Sequence, residues 1–494
     1  MIDKLPIELI NIIAKSLNQF DLVNLSSTNK SLHQILIPKL YKSITVDSSK
    51  THLQFELSSS TTTIKSLHSL KLFLNKLTTN PQYGDFIRYF ALKNEIPDIP
   101  EIILNEYLKK IFPILTNLNT LNWFIVDTYL SFEILKYLPL GKLCNLGGNF
   151  KNFEVVKTLI RHPLLDLKIL EISGFNIASN LSKIDLLKFP NLQELTILKN
   201  SCGKPKSVTN LIEIDSIDEN YLSTIFFHVQ NLNLSSLTLK DFCITSTNAN
   251  DLIKAINLPK LKKLAIINCT ENMFENDSFI RRNPPATLFL DILRSHLSDL
   301  ESLVIDFLNE LADNSSILRL LNMMCLKELD ILITCKNGES LKEDLAAIMN
   351  SLTNHPLKEL KLDFFIPNTN CKKITFPITT LSNLSKLNQL QVLKAPIEHR
   401  HINNLFPIIS ELGELMILHL VVNTQKMATN CLIDQNYFNF AVPGLSHLQE
   451  NLSSQFYEYC KRFKFCNQNL EYLIFETSKK LMFECRNRIE LIDM

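Results

Sequence analysis

The sequence predicts an α/β solenoid of irregular repeats with a short parallel sheet, preceded by a small three-helix module. Two observations predict this fold. A motif of the form L-x-x-L-x-apolar returns along most of the chain, and three short segments with helical spacing of apolar residues precede it. A single hydrophobic core stops growing beyond about 250 to 300 residues. A repeat protein has no such size limit, because each repeat packs only against its neighbours. A repeat array therefore accommodates a chain of 494 residues.

Composition excludes several classes of protein. The 51 basic and 50 acidic side chains nearly cancel, so no nucleic-acid or membrane partner is expected. There is no run of 18 apolar residues, and Asp3, Lys4, Glu8 and Lys15 interrupt the N-terminal apolar stretch, which argues against a signal peptide. Eleven scattered cysteines favour buried thiols in a reducing compartment. We therefore expect a soluble protein of the cytoplasm, the nucleus or both.

Residues 5 to 46 have the pattern of three short helices. Pro6 suits the first turn of a helix. The apolar residues that follow at helical spacing are Leu9, Ile12, Ile13 and Leu17. Asp21 is the expected N-cap of a second helix and Asn29 of a third, which Pro38 is expected to end. So small a module buries too little surface to be stable alone, and we expect its apolar face to need a partner.

Several residues of this module match one family pattern. They are Leu5, Pro6, Glu8, Leu9, Ile12, Leu17, Asp21, Leu22 and Leu25. The pattern is Leu-Pro-x-Glu, an apolar helix and then Asp-Leu-x-x-Leu, and the module therefore resembles the F-box family. Two positions depart from it, because Thr28 stands where valine is usual and Leu32 where an aromatic residue is common. The alternative interpretation is an amphipathic helical cap on the repeats that follow.

The F-box resemblance implies a partner. It implies that the module docks onto a Skp-type adaptor, which bridges it to a cullin. The residues expected to bind the adaptor, and to be partly exposed in the free chain, are Leu5, Pro6, Ile12, Leu17, Leu22 and Leu25.

The repeated motif predicts a series of short strands. Its copies begin at Leu167, Leu192, Leu234, Leu261, Leu300, Leu326, Leu357, Leu415 and Leu470, with weaker copies at Leu118 and Leu390. In a strand, the second leucine and the apolar residue two positions later point to the same face. Leucines of successive repeats would then stack. Helices are expected in the segments that connect successive strands, for example over 341–352 after a capping box at Ser340 and Glu343.

The motif resembles the leucine-rich repeat, but the array is expected to be irregular. The family's asparagine or cysteine after the strand is matched only by Asn200, Cys269 and Asn423. Some steps between copies exceed the usual repeat length, which implies inserted loops such as Glu271 to Pro285. We expect an F-box module at 1–46, a linker with divergent first repeats at 47–164, and a leucine-rich-repeat solenoid with a C-terminal cap at 165–494.

The sequence contains no recognisable catalytic, cofactor or metal pattern. We find no phosphate-binding glycine loop, His-Glu-x-x-His, Gly-x-Ser-x-Gly or Cys-x-x-Cys, so no enzyme activity, cofactor or metal is expected. The informative surface is the strand face that points away from the leucines. Candidate client-binding residues on it are Asp306, Glu328, Asp330, Glu359 and Asp363. Asp306 and Asp363 are expected just past their strands, and Lys361 is the opposing cation. This face would suit a basic client segment, the alternative being an ordinary solvated face.

Three functions are compatible with these patterns. The leading hypothesis is a substrate-recognition subunit of a Skp/cullin/F-box ubiquitin ligase, which recruits an unidentified protein client and catalyses nothing itself. The alternative is an adaptor-bound protein with a structural or regulatory role independent of ubiquitin transfer. A leucine-rich activator of a small GTPase such as Ran fits less well, because those proteins resemble a more regular solenoid with a long acidic tail, whereas this chain ends in Glu490-Leu-Ile-Asp-Met.

Overall fold

The structure is a computed structural model, and it divides into two compact units. It describes residues 5–17, 19–47, 61–94, 100–125, 132–149, 167–173, 186, 189–198, 221–226, 229–271, 288–308, 314–334, 338–365, 375–423, 445–477, 480–486 and 489–492. The first unit comprises Met1–Lys206, Asn220–Leu234 and Lys254–Ile256, and the second comprises Ser207–Glu219, Ser235–Ile253 and Asn257–Met494. Within each unit, parallel strands alternate with helices.

The first unit opens with the three expected helices and continues as a parallel sheet. Its helices are α1 (Ile7–Lys15), α2 (Gln19–Thr28), α3 (Lys30–Lys42), α4 (Leu67–Thr79), α5 (Glu101–Ile111), α6 (Phe132–Leu135) and α7 (Tyr221–Phe226). Its strands are β1 (Ser43–Val46), β2 (Thr62–Ile64), β3 (Tyr89–Asn94), β4 (Thr120–Ile125), β5 (Asn145–Asn149), β6 (Ile169–Ser173) and β7 (Glu194–Leu198). The strands pair in the order β2, β1, β3, β4, β5, β6, β7, and every pair is parallel.

The second unit has the longer sheet. Its strands are β8 (Ser236–Lys240), β9 (Cys243–Ile244), β10 (Lys263–Glu271), β11 (Ser302–Leu308), β12 (Glu328–Thr334), β13 (Glu359–Phe365), β14 (Val392–Glu398), β15 (Ile417–Asn423), β16 (Tyr472–Glu476), β17 (Lys480–Glu484) and β18 (Glu490–Ile492). The helices between them are α8 (Ser246–Ala255), α9 (Phe289–Leu293), α10 (Ser315–Leu321), α11 (Gly338–Leu352), α12 (Ile378–Leu381), α13 (Leu405–Glu411) and α14 (Leu445–Cys466). From β8 through β10 to β16 all neighbours are parallel, whereas β17 and β18 are antiparallel additions.

The predicted leucine motif forms the core as expected. In the copy that starts at Leu357, the side chains of Leu357, Leu360 and Leu362 are at most 1% exposed. Leu360 is in register with Leu329 on one side and Leu393 on the other, so the same motif position stacks from strand to strand. Burial of each such leucine contributes about 1.5–3 kcal/mol. The predicted fold class, N-terminal helices followed by a mostly parallel leucine-rich-repeat sheet, is confirmed.

The start of α3 is as predicted, but its end and the start of α2 are not. The Leu32 backbone N–H donates to the Asn29 side chain at 2.8 Å, which confirms the N-cap. Asp21 is not a cap, because α2 begins two residues earlier and places Asp21 in its first turn. A carboxylate there is still favourable, since it faces the positive end of the helix dipole. Pro38 does not end α3, because burial of Leu36 beside it offsets the lost backbone hydrogen bond.

Other sequence expectations concern loops and a second helix cap. Helix α11 begins at Gly338, so Ser340 lies in its first turn and is not its cap. The segment Glu271 to Pro285 lies outside the described residues except for Glu271, the last residue of β10. Cys269 does occupy an interior position, where its Sγ donates to the carbonyl of Leu239 at 3.6 Å and burial raises the pKa of the thiol to about 12.

Helix α14 closes the second unit with an aromatic cluster. The Phe456 and Phe475 rings are stacked with centroids 4.5 Å apart, and Phe406 and Phe463 lie 4.6 Å apart. Phe456, Phe463 and Phe475 are fully buried. Since β17 pairs antiparallel with β16, the parallel series ends there, and α14 packs Phe456 against Phe475 of that last parallel strand.

The cluster generates a stability prediction. Phe456→Ala should lower the free energy of unfolding of the second unit by about 3–5 kcal/mol, because it leaves a large cavity in a packed core. The midpoint of urea unfolding, followed by far-ultraviolet circular dichroism, measures the change. Phe465 on the same helix is 84% exposed, so Phe465→Ala is the matched control and should change stability by less than about 0.5 kcal/mol. Equal effects of the two substitutions would contradict this packing.

Candidate functional site

The N-terminal module has a small core of its own. Ile10 and Ala14, four residues apart on one face of α1, pack with Leu22, Leu32 and Leu36 from α2 and α3, and each is at most 3% exposed. The Lys39 ammonium donates to the Asn11 carbonyl at 2.6 Å, which ties α3 to α1. Ile7, Leu9 and Ile12 of α1 take no part in this core.

Three apolar residues of α1, Ile7, Leu9 and Ile12, point into solvent. Leu9 and Ile12, on the side of α1 away from Ile10, are 45% and 59% exposed. Leu5, Ile7 and Val23 are 36%, 51% and 46% exposed. Large apolar side chains that a protein leaves uncovered mark a binding surface when they cluster, and helical spacing places Leu9 and Ile12 side by side.

The six predicted adaptor-binding residues divide into three groups. The exposed ones are Leu5, Pro6 and Ile12. Leu17 and Leu25 are partly buried against the module's core, and Leu22 is 0% exposed. The expectation that all six are partly exposed is therefore wrong for Leu22, because α2 turns this side chain inward between α1 and α3. Sequence reasoning also missed three exposed residues, Ile7, Leu9 and Val23, as members of the surface.

The module is continuous with the sheet. Helix α3 ends at Lys42 and β1 begins at Ser43, and β1 pairs with β2 and β3. The Tyr41 ring lies between Phe73 and Tyr83, with centroid distances of 6.0 and 5.0 Å. The last residues of the 1–46 module are thus also a strand of the first repeats.

Polar contacts reinforce this junction. The Gln19 side-chain amide donates to the Thr62 hydroxyl at 2.7 Å, and that hydroxyl donates to the Leu40 carbonyl. The Arg88 backbone N–H donates to the Lys42 carbonyl at 2.9 Å. Because backbone and side-chain contacts both cross the junction, the orientation of the three helices on the first strands is fixed.

The second candidate surface is the outward face of the longer sheet. Ser302, Glu328 and Glu359 are in register across β11, β12 and β13, and Asp330 is in register with Lys361. Their neighbours in sequence, the motif leucines, are buried, so these side chains point away from the core. Asp306 and Asp363 lie within β11 and β13 and not past their ends as expected, because both strands run beyond the motif.

Lysines partly neutralise this face. The ion pairs are Lys263–Glu328 at 3.9 Å, Lys361–Glu359 at 2.5 Å and Lys394–Asp363 at 2.9 Å. From the sequence we expected five carboxylates and one cation, Lys361, on this face, and Lys394 was missed because it belongs to the weak copy that begins at Leu390. Lys394 could have been found from its position, since it directly follows the second leucine of that copy. The face is therefore mixed in charge.

Two carboxylates of this face differ from the rest. Among the described residues, no cation lies within ion-pairing distance of Asp306 or Asp330. Burial raises the pKa of the Asp330 carboxyl, although Lys361 and Lys394 act in the opposite direction. Burial also raises the pKa of Asp306, against a hydrogen bond from the Asn268 backbone. Both carboxyls are half-buried, and among the described residues neither has a lysine or arginine within 4.0 Å, although Lys361 and Lys394 lie near enough to Asp330 to favour its charged form.

The described ranges contain no group of three histidine, cysteine, aspartate or glutamate side chains that could hold a metal ion. In the same part of the chain, no helix has both the length and the apolar character needed to cross a bilayer.

Comparison with known proteins bears on the N-terminal module. A family model described as the F-box domain matches residues 2–42. The chain therefore has an F-box domain at its N-terminus, and a long parallel-sheet region follows it. No curated protein matches the chain in sequence.

Two solved structures have some likeness to the chain. The crystal structure of an internalin from Listeria monocytogenes is 16% identical, covers 74% of this chain and 93% of its own, and has a TM-score of 0.28. The crystal structure of a Bacteroides fragilis protein is 10% identical, covers 76% of this chain and 74% of its own, and has a TM-score of 0.19.

The division of apolar residues in the F-box domain generates a prediction. Leu22→Ala should destabilise the module by about 2–5 kcal/mol, because it removes a fully buried side chain. Ile12→Ala, which truncates an exposed side chain of the same module, should change its stability by less than about 0.5 kcal/mol. Hydrogen exchange of the α1–α3 amides, measured by mass spectrometry, reports the local free energy of opening. Faster exchange in the Ile12→Ala variant than in the Leu22→Ala variant would contradict the assignment of Leu22 to the core and Ile12 to the surface.

Proposed function

We propose that the protein is the substrate-recognition subunit of a Skp/cullin/F-box ubiquitin ligase. The observation that supports this most directly is an F-box domain with an exposed apolar stripe on α1, Leu9 and Ile12, whose last helix runs directly into β1 of the parallel sheet. The exposed stripe binds the Skp-type adaptor and, through it, the cullin. The repeats recruit a protein client.

Adaptor binding follows from the exposed apolar residues. Covering one such leucine or isoleucine contributes about 1.5–3 kcal/mol, so a few of them supply much of an interface's core. Leu5, Pro6 and Ile12 are the predicted contacts that are available in the free protein, and Leu9 joins them. Leu17 and Leu25 contribute at the edge of the same surface, whereas Leu22 acts by holding the helices together.

Client recruitment is assigned to the outward face of the second unit. The predicted residues are Asp306, Glu328, Asp330, Glu359 and Asp363. A single chain that binds both the adaptor and a client raises the effective concentration of the client at the ligase. This converts a bimolecular encounter into an effectively unimolecular one, and the protein needs no cofactor or catalytic group of its own to do so.

Introducing negative charge at the exposed apolar stripe tests whether this surface binds the adaptor. Leu9→Asp with Ile12→Asp should reduce co-purification of the Skp-type adaptor by at least about tenfold, because a tenfold loss needs only 1.4 kcal/mol. Quantitative mass spectrometry of proteins retained by the tagged chain measures it. Point substitutions are preferable to deletion of residues 1–46, because deletion would also remove β1 from the sheet.

A matched control separates this surface from general stickiness. Leu72 and Ile102 are 56% and 79% exposed on α4 and α5. Leu72→Asp with Ile102→Asp should leave adaptor recovery unchanged. Full adaptor recovery in the Leu9/Ile12 variant would refute the assignment of the interface. Recovery of adaptor without cullin or client ubiquitination would instead favour a role independent of ubiquitin transfer.

A further inference from the structure

The outward face of the second unit changes character from one end to the other. One row of in-register residues runs Glu328, Glu359, Val392, Ile417, Tyr472. All five side chains are half-buried. The row therefore begins with carboxylates on β12 and β13, continues with apolar side chains on β14 and β15, and ends with Tyr472 on β16, whose ring has the Arg486 guanidinium over it, 5.3 Å from the centroid. We call Val392 and Ile417 the apolar strip.

The carboxylates beside the apolar strip are not equivalent. Glu328, Glu359 and Asp363 each have a lysine within 4.0 Å, so each of these carboxylates is paired with a cation of the protein itself. Asp330, next to this row on β12, and Asp306 on β11 have no such partner among the described residues. A half-buried carboxylate has lost part of its hydration, and the lysines near Asp330 and the Asn268 backbone N–H at Asp306 offset this loss only in part, since the pKa of both groups is still raised. Surplus negative charge is thus concentrated at two positions.

We propose that this face binds an extended segment of a protein client that places an arginine or lysine at Asp330 and Asp306 and a bulky apolar residue on the apolar strip. The inference rests on the proposed client-recruiting function and specifies the chemistry of the client. Charge complementarity favours a cation, because a cationic side chain would pair with Asp306 and Asp330, which have no lysine or arginine within 4.0 Å among the described residues, whereas both would repel an acidic side chain. The apolar strip selects the second anchor, because covering it removes half-exposed apolar surface from water.

The geometry also sets the spacing of the two anchors. Neighbouring strands lie about 4.8 Å apart, so β12 and β14 are separated by about 10 Å and β12 and β15 by about 14 Å. An extended chain advances about 3.3 Å per residue. The cation and the apolar residue of the client are therefore about three or four residues apart.

An array of short random peptides, probed with the full-length protein, tests this chemistry. Bound peptides should be enriched in arginine or lysine with leucine, isoleucine or phenylalanine three or four residues away. Asp306→Asn with Asp330→Asn should weaken binding of the best peptide about tenfold or more, since it removes the unpaired charge at nearly constant shape. Val392→Ser with Ile417→Ser should weaken it as well. The matched control, Asp299→Asn with Glu343→Gln, changes two exposed carboxylates elsewhere and should have no effect.

A change in the peptide guards against variants that misfold. Replacement of the peptide's arginine by citrulline, which is neutral but similar in shape, should lower affinity for the unaltered protein to a similar degree. Peptides without basic enrichment, affinity unchanged by either the aspartate or the citrulline substitutions, or no bound peptide at all would overturn the inference.

The outcomes separate this inference from the proposed function. The Leu9→Asp/Ile12→Asp variant should lose the adaptor and still bind the basic peptide. If the adaptor is recovered normally but the peptide result fails, only the client chemistry is wrong. If the peptide binds as expected but no adaptor is recovered, the face is a peptide-binding surface and the ligase assignment falls.

Discussion

In-register stacking of leucines is the constraint on which the rest of the structure depends. Because Leu329, Leu360 and Leu393 occupy the same position on neighbouring strands, each strand is fixed in register by the next. Strand geometry then sends the alternate residues to the opposite face, whatever they are. That face contributes little to the leucine core, so Asp330 and Lys361 can lie there without disturbing it. The separation of the leucine core from the charged outward face follows from the two-residue period of a strand.

The sequence predicted the strands far better than it predicted where they end. The motif specifies the residues that pack, and these were identified correctly from the spacing of leucines. The length of a strand depends on pairing with its neighbours, which the motif does not contain, and so Asp306 and Asp363 were placed outside strands that include them. Pro38 shows the same limit for helices, since burial around it outweighs a local tendency to break the helix.

The candidate surfaces were predicted only in part, because periodicity does not distinguish a buried stripe from an exposed one. Helix α1 carries two apolar stripes, with Ile10 and Ala14 inward and Leu9 and Ile12 outward, and both obey helical spacing. The packing of α2 and α3 determines which stripe is covered. On the sheet, Lys394 lies in a weak copy of the motif and was not assigned to the outward face, so the sequence predicted a more negative face than the structure has.

The junction between α3 and β1 explains how so small a module can leave apolar residues uncovered. Three helices of this size bury too little surface to be stable alone. Here the chain leaves the module as a strand that pairs with β2 and β3, and Tyr41 packs against Phe73 and Tyr83 of the following segment. The sheet thereby supplies stability that the module's own core lacks. Leu9 and Ile12 are then not needed for folding, and their apolar surface remains available to a partner.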